Sequence, residues 1–390
     1  MTTVYVDNNA TTRVAPEVLD EMLPYFSEYY GNPSSVHAFG GNVAKKIREA
    51  REKTAALIGA SPEEIIFTSC GTESDNAAVR SALKSAPDKR HIVTSAVEHP
   101  AVLNLCTALE KEGYRVTYVP VDSKGNLDFD HFTQSLSDDT ALVTVMWANN
   151  ETGVVFPVKE IAEKAAEKGI PFHTDAVQAV GKIPVDVREL PVNMLSLSGH
   201  KIHAPKGVGA LYVKKGTRFH PFVVGGHQES GRRGGTENVA SIIGLGKASE
   251  LAVDHLPRVD TDVRQMRDYL ENTLLETVSF SSINGDRERR LPNTVSIGFD
   301  AIEGESILLH IDHAGICASS GSACTSGSLE PSHVLRAMDV PFKSAHGSIR
   351  FSLSVYNTME EMEYIAETFP PIIRKLRLMS PFWDRCNDKA

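Results

Sequence analysis

The sequence predicts an α/β protein, with a large domain built on a mostly parallel sheet flanked by helices and a smaller α+β domain. Three observations predict it. From about residue 62 a short apolar strand, a polar turn and a helical stretch recur in that order, the pattern of a parallel sheet with crossover helices. Unusual polar clusters stand at the carboxyl ends of those strands, the edge where open α/β sheets bind ligands. After about residue 258 the texture changes to shorter elements.

The elements follow in order. The segment before Pro16 is expected to dock on the small domain, so the domains are 15–258 for the large one, and 1–14 with 259–390 for the small one. Ile65-Ile66-Phe67-Thr68 leads into Gly71-Thr72-Glu73-Ser74-Asp75-Asn76, and His91-Ile92-Val93-Thr94 into Glu98-His99-Pro100. A strand over 141–147 leads to Asn149-Asn150-Glu151-Thr152-Gly153, one over 170–173 to Asp175-Ala176-Val177-Gln178, and one over 194–197 to Ser198-Gly199-His200-Lys201. A helix over 161–168 separates two of them. The second domain reads as a charged helix at 262–276, a strand at 294–299, a helix at 305–313, a strand at 349–353 and a last helix at 359–376. Between them, Ser319-Ser320-Gly321-Ser322-Ala323-Cys324-Thr325-Ser326-Gly327-Ser328 has nothing that can build a core, so 319–330 is expected to be a mobile loop carrying Cys324.

Bulk properties narrow the function. The net charge is −10 with no long basic block, and 287–290 is a short charged turn, which argues against nucleic acid. No apolar run is long enough to span a bilayer, and Met1 begins no secretory pattern. The five cysteines (70, 106, 317, 324 and 386) form no Cys-x-x-Cys pair, which fits reduced thiols in the cytoplasm. Cys106 and Cys317 read as buried and inert, and Cys70 as a neighbour of a site.

Lys201 follows Ser-Gly-His at a strand end, where desolvation would free its amine to form a Schiff base, although most lysines are surface or ion-paired groups. Asp175 stands 26 residues earlier. Pyridoxal phosphate chemistry needs such a pair: the lysine for the aldehyde carbon and a carboxylate for the pyridine nitrogen. A helix N-cap is the other reading of Asp175. A helix beginning there would turn Gln178 to the same side, in reach of the ring hydroxyl. Gly71-Thr72 opens a helix after a strand and can seat a phosphate, with Ser198 and His200 as added donors. His99, held extended by Pro100, can stack on a flat ring and move protons, or be an ordinary loop histidine. His200 and His203 lack the partners of a metal site, so no intrinsic metal is expected. The glycine-rich stretch 225–238 reads as a loop of the kind that lines sites or subunit contacts. Arg350, inside an apolar strand, needs either a substrate carboxylate or a structural partner.

Through these motifs the chain resembles the cysteine desulfurases, pyridoxal phosphate enzymes of fold type I in the class-V aminotransferase superfamily. The resemblance runs almost end to end, through Tyr5-Val6-Asp7-Asn8-Asn9-Ala10-Thr11-Thr12, Gly31-Asn32-Pro33-Ser34-Ser35, the strand-end motifs above, 233–238 and 319–328. It implies that Lys201 carries pyridoxal 5'-phosphate, that Asp175 meets its ring nitrogen and Gln178 its ring oxygen, and that His99 stacks on it. Gly71, Thr72, Ser198, Gly199 and His200 belong to its cofactor site, with Thr236 supplied by the second subunit of a homodimer. Asn150 lies near the cofactor and, with Arg350, grips the substrate carboxylate. Cys324 is the nucleophile that takes sulfur from L-cysteine as a persulfide, releasing L-alanine.

The resemblance further implies that the sulfur passes to an iron–sulfur scaffold protein, where Cys324 could transiently ligate a cluster. The long cysteine loop, Thr68-Ser69-Cys70-Gly71-Thr72 and His203-Ala204-Pro205-Lys206-Gly207 are closer to the nitrogen-fixation type, which implies nitrogenase metallocluster maturation. A selenocysteine lyase or aminotransferase of the same fold is the alternative.

Overall fold

The computed structural model describes residues 3–320 and 331–383; Cys324 and Cys386 lie outside the described residues. The large domain is organised by a seven-stranded sheet in the order Ile65–Thr68, Gly209–Val213, Met194–Ser198, Phe172–Asp175, Thr140–Thr144, His91–Ser95 and Arg115–Val119. The last five strands run parallel, and Gly209–Val213 is antiparallel to both of its neighbours. All but the edge strand Arg115–Val119 are buried along their whole length. Helices cover both faces of such a sheet, which is why these segments read as unbroken apolar runs.

One face carries Gly71–Ser85 and Pro100–Lys111, which close over Ile66, Ile92 and Leu142. The other face forms the larger core, against Val158–Glu167 and the pair Ala38–Leu57 and Val239–Arg258. Those two helices cross closely at Gly246, where a Cβ would stand 2.5 Å from the Ala50 Cα.

The small domain is a four-stranded antiparallel sheet, Ser319–Ser320, Ser348–Ser352, Thr294–Phe299 and Ser281–Ile283 in that order. Its apolar side packs on Arg264–Thr277, Gly304–His313 and Met359–Met379. The N-terminal segment lies on this unit: Val4–Tyr5 pairs in parallel with Ile316–Cys317, Val6 is fully buried in the same core, and Asn8 N–H donates to the Ser352 carbonyl at 3.0 Å.

Two details differ from the sequence expectation. Ser319 and Ser320 are not loop: they pair with Arg350 and Ile349 and are 5% and 8% exposed, so the small polar run begins as an edge strand. The change of texture near 258 falls within continuous helix rather than at a break between elements. The helix Val239–Arg258 continues through a π-helical turn, Val259–Val263, into Arg264–Thr277. Pro257 lacks the N–H that a regular helix would use, and the wider turn follows it.

Candidate active site

A cavity of about 530 Å3 opens at the carboxyl edge of the parallel strands, within the range of about 300–1,000 Å3 common for small-ligand sites. Gly71, Thr72, His99, Asn150, Asp175, Gln178, Ser198, His200 and Lys201 line its wall from the large domain, Arg350 from the four-stranded sheet, and Ser332, His333 and Arg336 from a short segment packed on the larger core. Most of the expected residues therefore converge, those of the large domain from five separate connections and Arg350 from the strand Ser348–Ser352.

Lys201 ends a short 3-10 turn, Gly199–Lys201, directly after the strand Met194–Ser198. Its Nζ donates to the carbonyls of Asn9 at 2.6 Å and Ala10 at 2.7 Å. Asn9, which sequence reasoning quoted only as part of a motif, is a hub. Its carbonyl also accepts from Gln178 Nε2 at 3.0 Å, and its side chain meets Lys182, Asn293, Thr294 and the Asn150 carbonyl. The N-terminal segment thus ties the lysine to the small-domain sheet.

Asp175 is the last residue of Phe172–Asp175, and its Oδ1 accepts from the Val177 N–H at 2.9 Å. That bond closes a turn rather than capping a helix: residues 176–180 are turn, not the helix expected there. Gln178 still reaches the same cavity as Asp175. Burial pushes the Asp175 carboxyl up, opposed by His99, the Val177 amide and Lys201.

His99 caps Pro100–Lys111, with Nδ1 accepting from the Ala101 N–H at 3.1 Å. A nitrogen that accepts from an amide carries no proton, so the neutral ring bears its proton on Nε2. Burial lowers the His99 pKa, opposed by Asp175 and aided by Lys201 and His333.

Beneath this layer lie acids that the sequence did not single out. Glu98 is fully buried; its Oε1 accepts from Ser95 Oγ at 2.7 Å and Met146 N–H at 2.9 Å, while its Oε2 has no partner among the described residues. Burial raises its carboxyl to about 8. Asp75, also buried, is pushed well up by burial and by Asp175. Its neighbour His173, at 3.6 Å, is lowered to about 3 by burial and supplies no charge. Of these three acids, Asp175 is the one whose upward shift is opposed by Lys201 at the cavity.

The anion end is built from the start of the 15-residue helix Gly71–Ser85. Gly71 and Thr72 stand where amide N–H groups are free of intrahelical partners. Ser198 Oγ is buried beside them and has no partner among the described residues, a donor awaiting an acceptor. A Cβ at Gly71 would approach Val177 Cγ2 to 2.8 Å. His200 Nδ1 lies 3.1 Å from Thr11 Oγ1, and burial together with Lys201 lowers its pKa to about 4. A phosphate at one end, an aldehyde at the lysine and a basic ring nitrogen at Asp175 fit this donor set.

Across the cavity Arg350 Nη2 pairs with Asp7 Oδ1 at 2.9 Å, Nη1 donates to the Asn150 carbonyl at 2.9 Å, and Nε has no partner among the described residues. Arg350 therefore has the structural partners its buried strand position requires and also lines the cavity. Ser332 donates to the buried Glu151, and His333 Nε2 lies 2.9 Å from the Glu98 carbonyl, so the chain just after residue 330 is bonded to the cavity wall.

One expected cofactor-site residue is placed differently. Gly199 does not line the cavity; a Cβ there would meet Val208 Cγ1 at 2.9 Å and Ala204 Cβ at 3.0 Å, so it serves the turn that presents Lys201. Thr236 lies apart, in a second cavity with Arg233 and Glu229. Its loop is pinned to the sheet edge by Arg51 and the Phe67 N–H on Glu229, and by Arg233 on Glu73 at 2.9 Å. Cys324 lies outside the described residues, whereas Cys70 does border the cavity.

Comparison with known proteins agrees with this arrangement. The family model described as aminotransferase class-V matches residues 4–365. A cysteine desulfurase of Nostoc sp. is 58% identical over 390 residues, all of this chain and 97% of that relative. The cysteine desulfurase NifS of Azotobacter vinelandii is 56% identical, over 98% of this chain and 96% of its own length. Among solved structures, a NifS-like protein superimposes with a TM-score of 0.90 at 39% identity, covering 96% of this chain and all of that one. A structure titled SspA in complex with cysteine matches with a TM-score of 0.81 at 36% identity, over 91% of this chain and all of the other.

Proposed function

Because the chain belongs to the aminotransferase class-V family, with cysteine desulfurases as full-length relatives, we propose a specific division of labour among the residues of its cavity. The protein is a pyridoxal phosphate-dependent cysteine desulfurase: L-cysteine is the substrate, L-alanine the product, and the sulfur goes to an acceptor. The observation that carries the assignment of roles is the convergence of Lys201, Asp175 and His99 on one wall.

Lys201 holds the aldehyde end of the cofactor, and the Gly71–Thr72 amides with Ser198 and His200 hold its phosphate. Asp175 faces the ring nitrogen, Gln178 the ring oxygen, and His99 the ring face. When bound, the cofactor supplies an electron sink for the bonds at the substrate Cα. Arg350, with Asn150 beside it, takes the substrate carboxylate. Lys201 Nζ takes the Cα proton. His99 Nε2 manages the proton of the substrate thiol.

Cys324 as a thiolate bonds to the substrate sulfur while the carbon–sulfur bond breaks. The chain is left with a persulfide, and the substrate carbon skeleton leaves as alanine once protonated. Neither an external oxidant nor a reductant is consumed: the thiolate supplies the electron pair of the new sulfur–sulfur bond, and the carbon skeleton keeps the pair of the broken carbon–sulfur bond and takes up protons there. The acceptor in this reading is an iron–sulfur scaffold serving nitrogenase metallocluster maturation. The enzyme acts in the cytoplasm as a homodimer, in which Thr236 completes the partner's phosphate site. Among the described residues no helix is long and apolar enough to cross a membrane.

The test is turnover of L-cysteine by wild type and Cys324→Ala. Equal alanine and sulfur release by wild type, with loss of both and retention of the visible cofactor band in the variant, supports the assignment. Amino transfer that depends on a keto acid, or undiminished sulfide release by Cys324→Ala, removes it.

A further inference from the structure

Lys182 is a buried lysine whose hydrogen-bonding partners among the described residues are two side-chain amides. It is 8% exposed, and its Nζ donates to Asn9 Oδ1 at 2.9 Å and to Gln178 Oε1 one helical turn back in sequence. Burial, then Lys201 and Arg350, depress its pKa well below the usual lysine value. An apolar side chain of similar length would avoid that desolvation, so the position demands an account.

What a lysine amine can do to an amide explains it. A glutamine can present either its oxygen or its NH2 to a neighbour, and the two ends have nearly the same shape. Lys182 Nζ directs one N–H to Asn9 Oδ1 and another to Gln178, so the Gln178 end that meets it is the oxygen. The Gln178 nitrogen then donates one N–H to the Asn9 carbonyl at 3.0 Å, the same carbonyl that accepts from Lys201. The remaining N–H is what Gln178 can offer to the cavity it borders. Asn9 is held the same way: its Oδ1 takes Lys182 and Asn293 Nδ2, which turns its Nδ2 to Thr294 Oγ1 at 2.9 Å.

We propose that Lys182 is a positioning residue that locks the Gln178 amide so that it presents an N–H donor, never an acceptor, to the oxyanionic substituent of the cofactor ring. The inference rests on the reading above that Gln178 faces that oxygen. A donor there favours the ring oxyanion, whereas a flipped amide would set a lone pair against it.

The experiment reads the pH titration of the bound cofactor's visible absorption in wild type, Lys182→Met, Gln178→Leu and the double variant, together with the cofactor affinity of each apoprotein. Losing the donor raises the titration midpoint, so each single variant is expected to shift it upward by about one pH unit, a tenfold change in proton affinity. In the Gln178→Leu background Lys182→Met should add nothing, because one interaction is lost once. A full further shift in that background would mean that Lys182 acts by its charge and would overturn the lock, as would an unchanged midpoint in Lys182→Met alone. An unchanged midpoint in Gln178→Leu would instead sink the reading of Gln178. Should Lys182→Met not fold, Lys182→Gln, with a donor on a shorter stem, is measured in the same two backgrounds. Dependence on Gln178 supports the lock and additivity refutes it.

Discussion

Glu98 offers the sharpest numerical prediction. Folding removes its carboxyl from water and raises it from 4.5 to about 8. At about 1.4 kcal/mol for each tenfold change in proton affinity, ionised Glu98 destabilises the folded state by about 5 kcal/mol relative to the protonated form. The sign follows from the raised value: below pH 4.5 the acid is protonated whether folded or unfolded and carries no penalty, and the penalty grows as pH rises towards 8. The perturbation is Glu98→Gln, which keeps an acceptor for Ser95 Oγ and the Met146 N–H and removes the titration.

The assay is urea unfolding of both proteins from pH 5 to pH 8. The stability of the variant relative to wild type should climb by about 3–4 kcal/mol across that window. Other buried groups titrate in both proteins and cancel in the difference. A difference that stays flat with pH would show that Glu98 is not held protonated and would refute the reasoning.

Other outcomes follow from the same geometry. Arg350→Lys keeps a charge but loses the fork that meets both Asp7 and the Asn150 carbonyl; KM for L-cysteine should rise at least tenfold, about 1.4 kcal/mol, with little change in the cofactor spectrum. Asp175→Asn should leave the fold intact, since an amide oxygen can still accept the Val177 N–H, and should cut kcat by about two orders of magnitude or more in steady-state assays. Gly246→Ala forces a methyl onto Ala50; thermal unfolding should register a loss of about 1–3 kcal/mol.

Much of this was legible in the chain. The parallel strands could be read because they are buried on both faces, and Asp175, Ser198 and Lys201 could be placed because each follows such a strand. Other features depend on distant partners. Gly209–Val213 is as apolar as its neighbours, and apolar content does not report strand direction. Ser319–Ser320 is a strand because Arg350 and Ile349 lie beside it, which small polar residues do not announce. Glu98, Asp75 and Lys182 look like surface charges in sequence, and their burial becomes evident only when helix starts and strand ends are stacked at one edge. Asn9 gains its role from Lys201, 192 positions away.

The central claim is that the cavity chemistry delivers sulfur from L-cysteine to one thiol of the chain. Mass spectrometry of the peptide containing Cys324, taken after brief exposure of the holoenzyme to L-cysteine, tests it most directly. The account predicts one added sulfur atom on that peptide, absent from Lys201→Ala. An unmodified Cys324 peptide while alanine accumulates, or added sulfur on Cys70 instead, would contradict it.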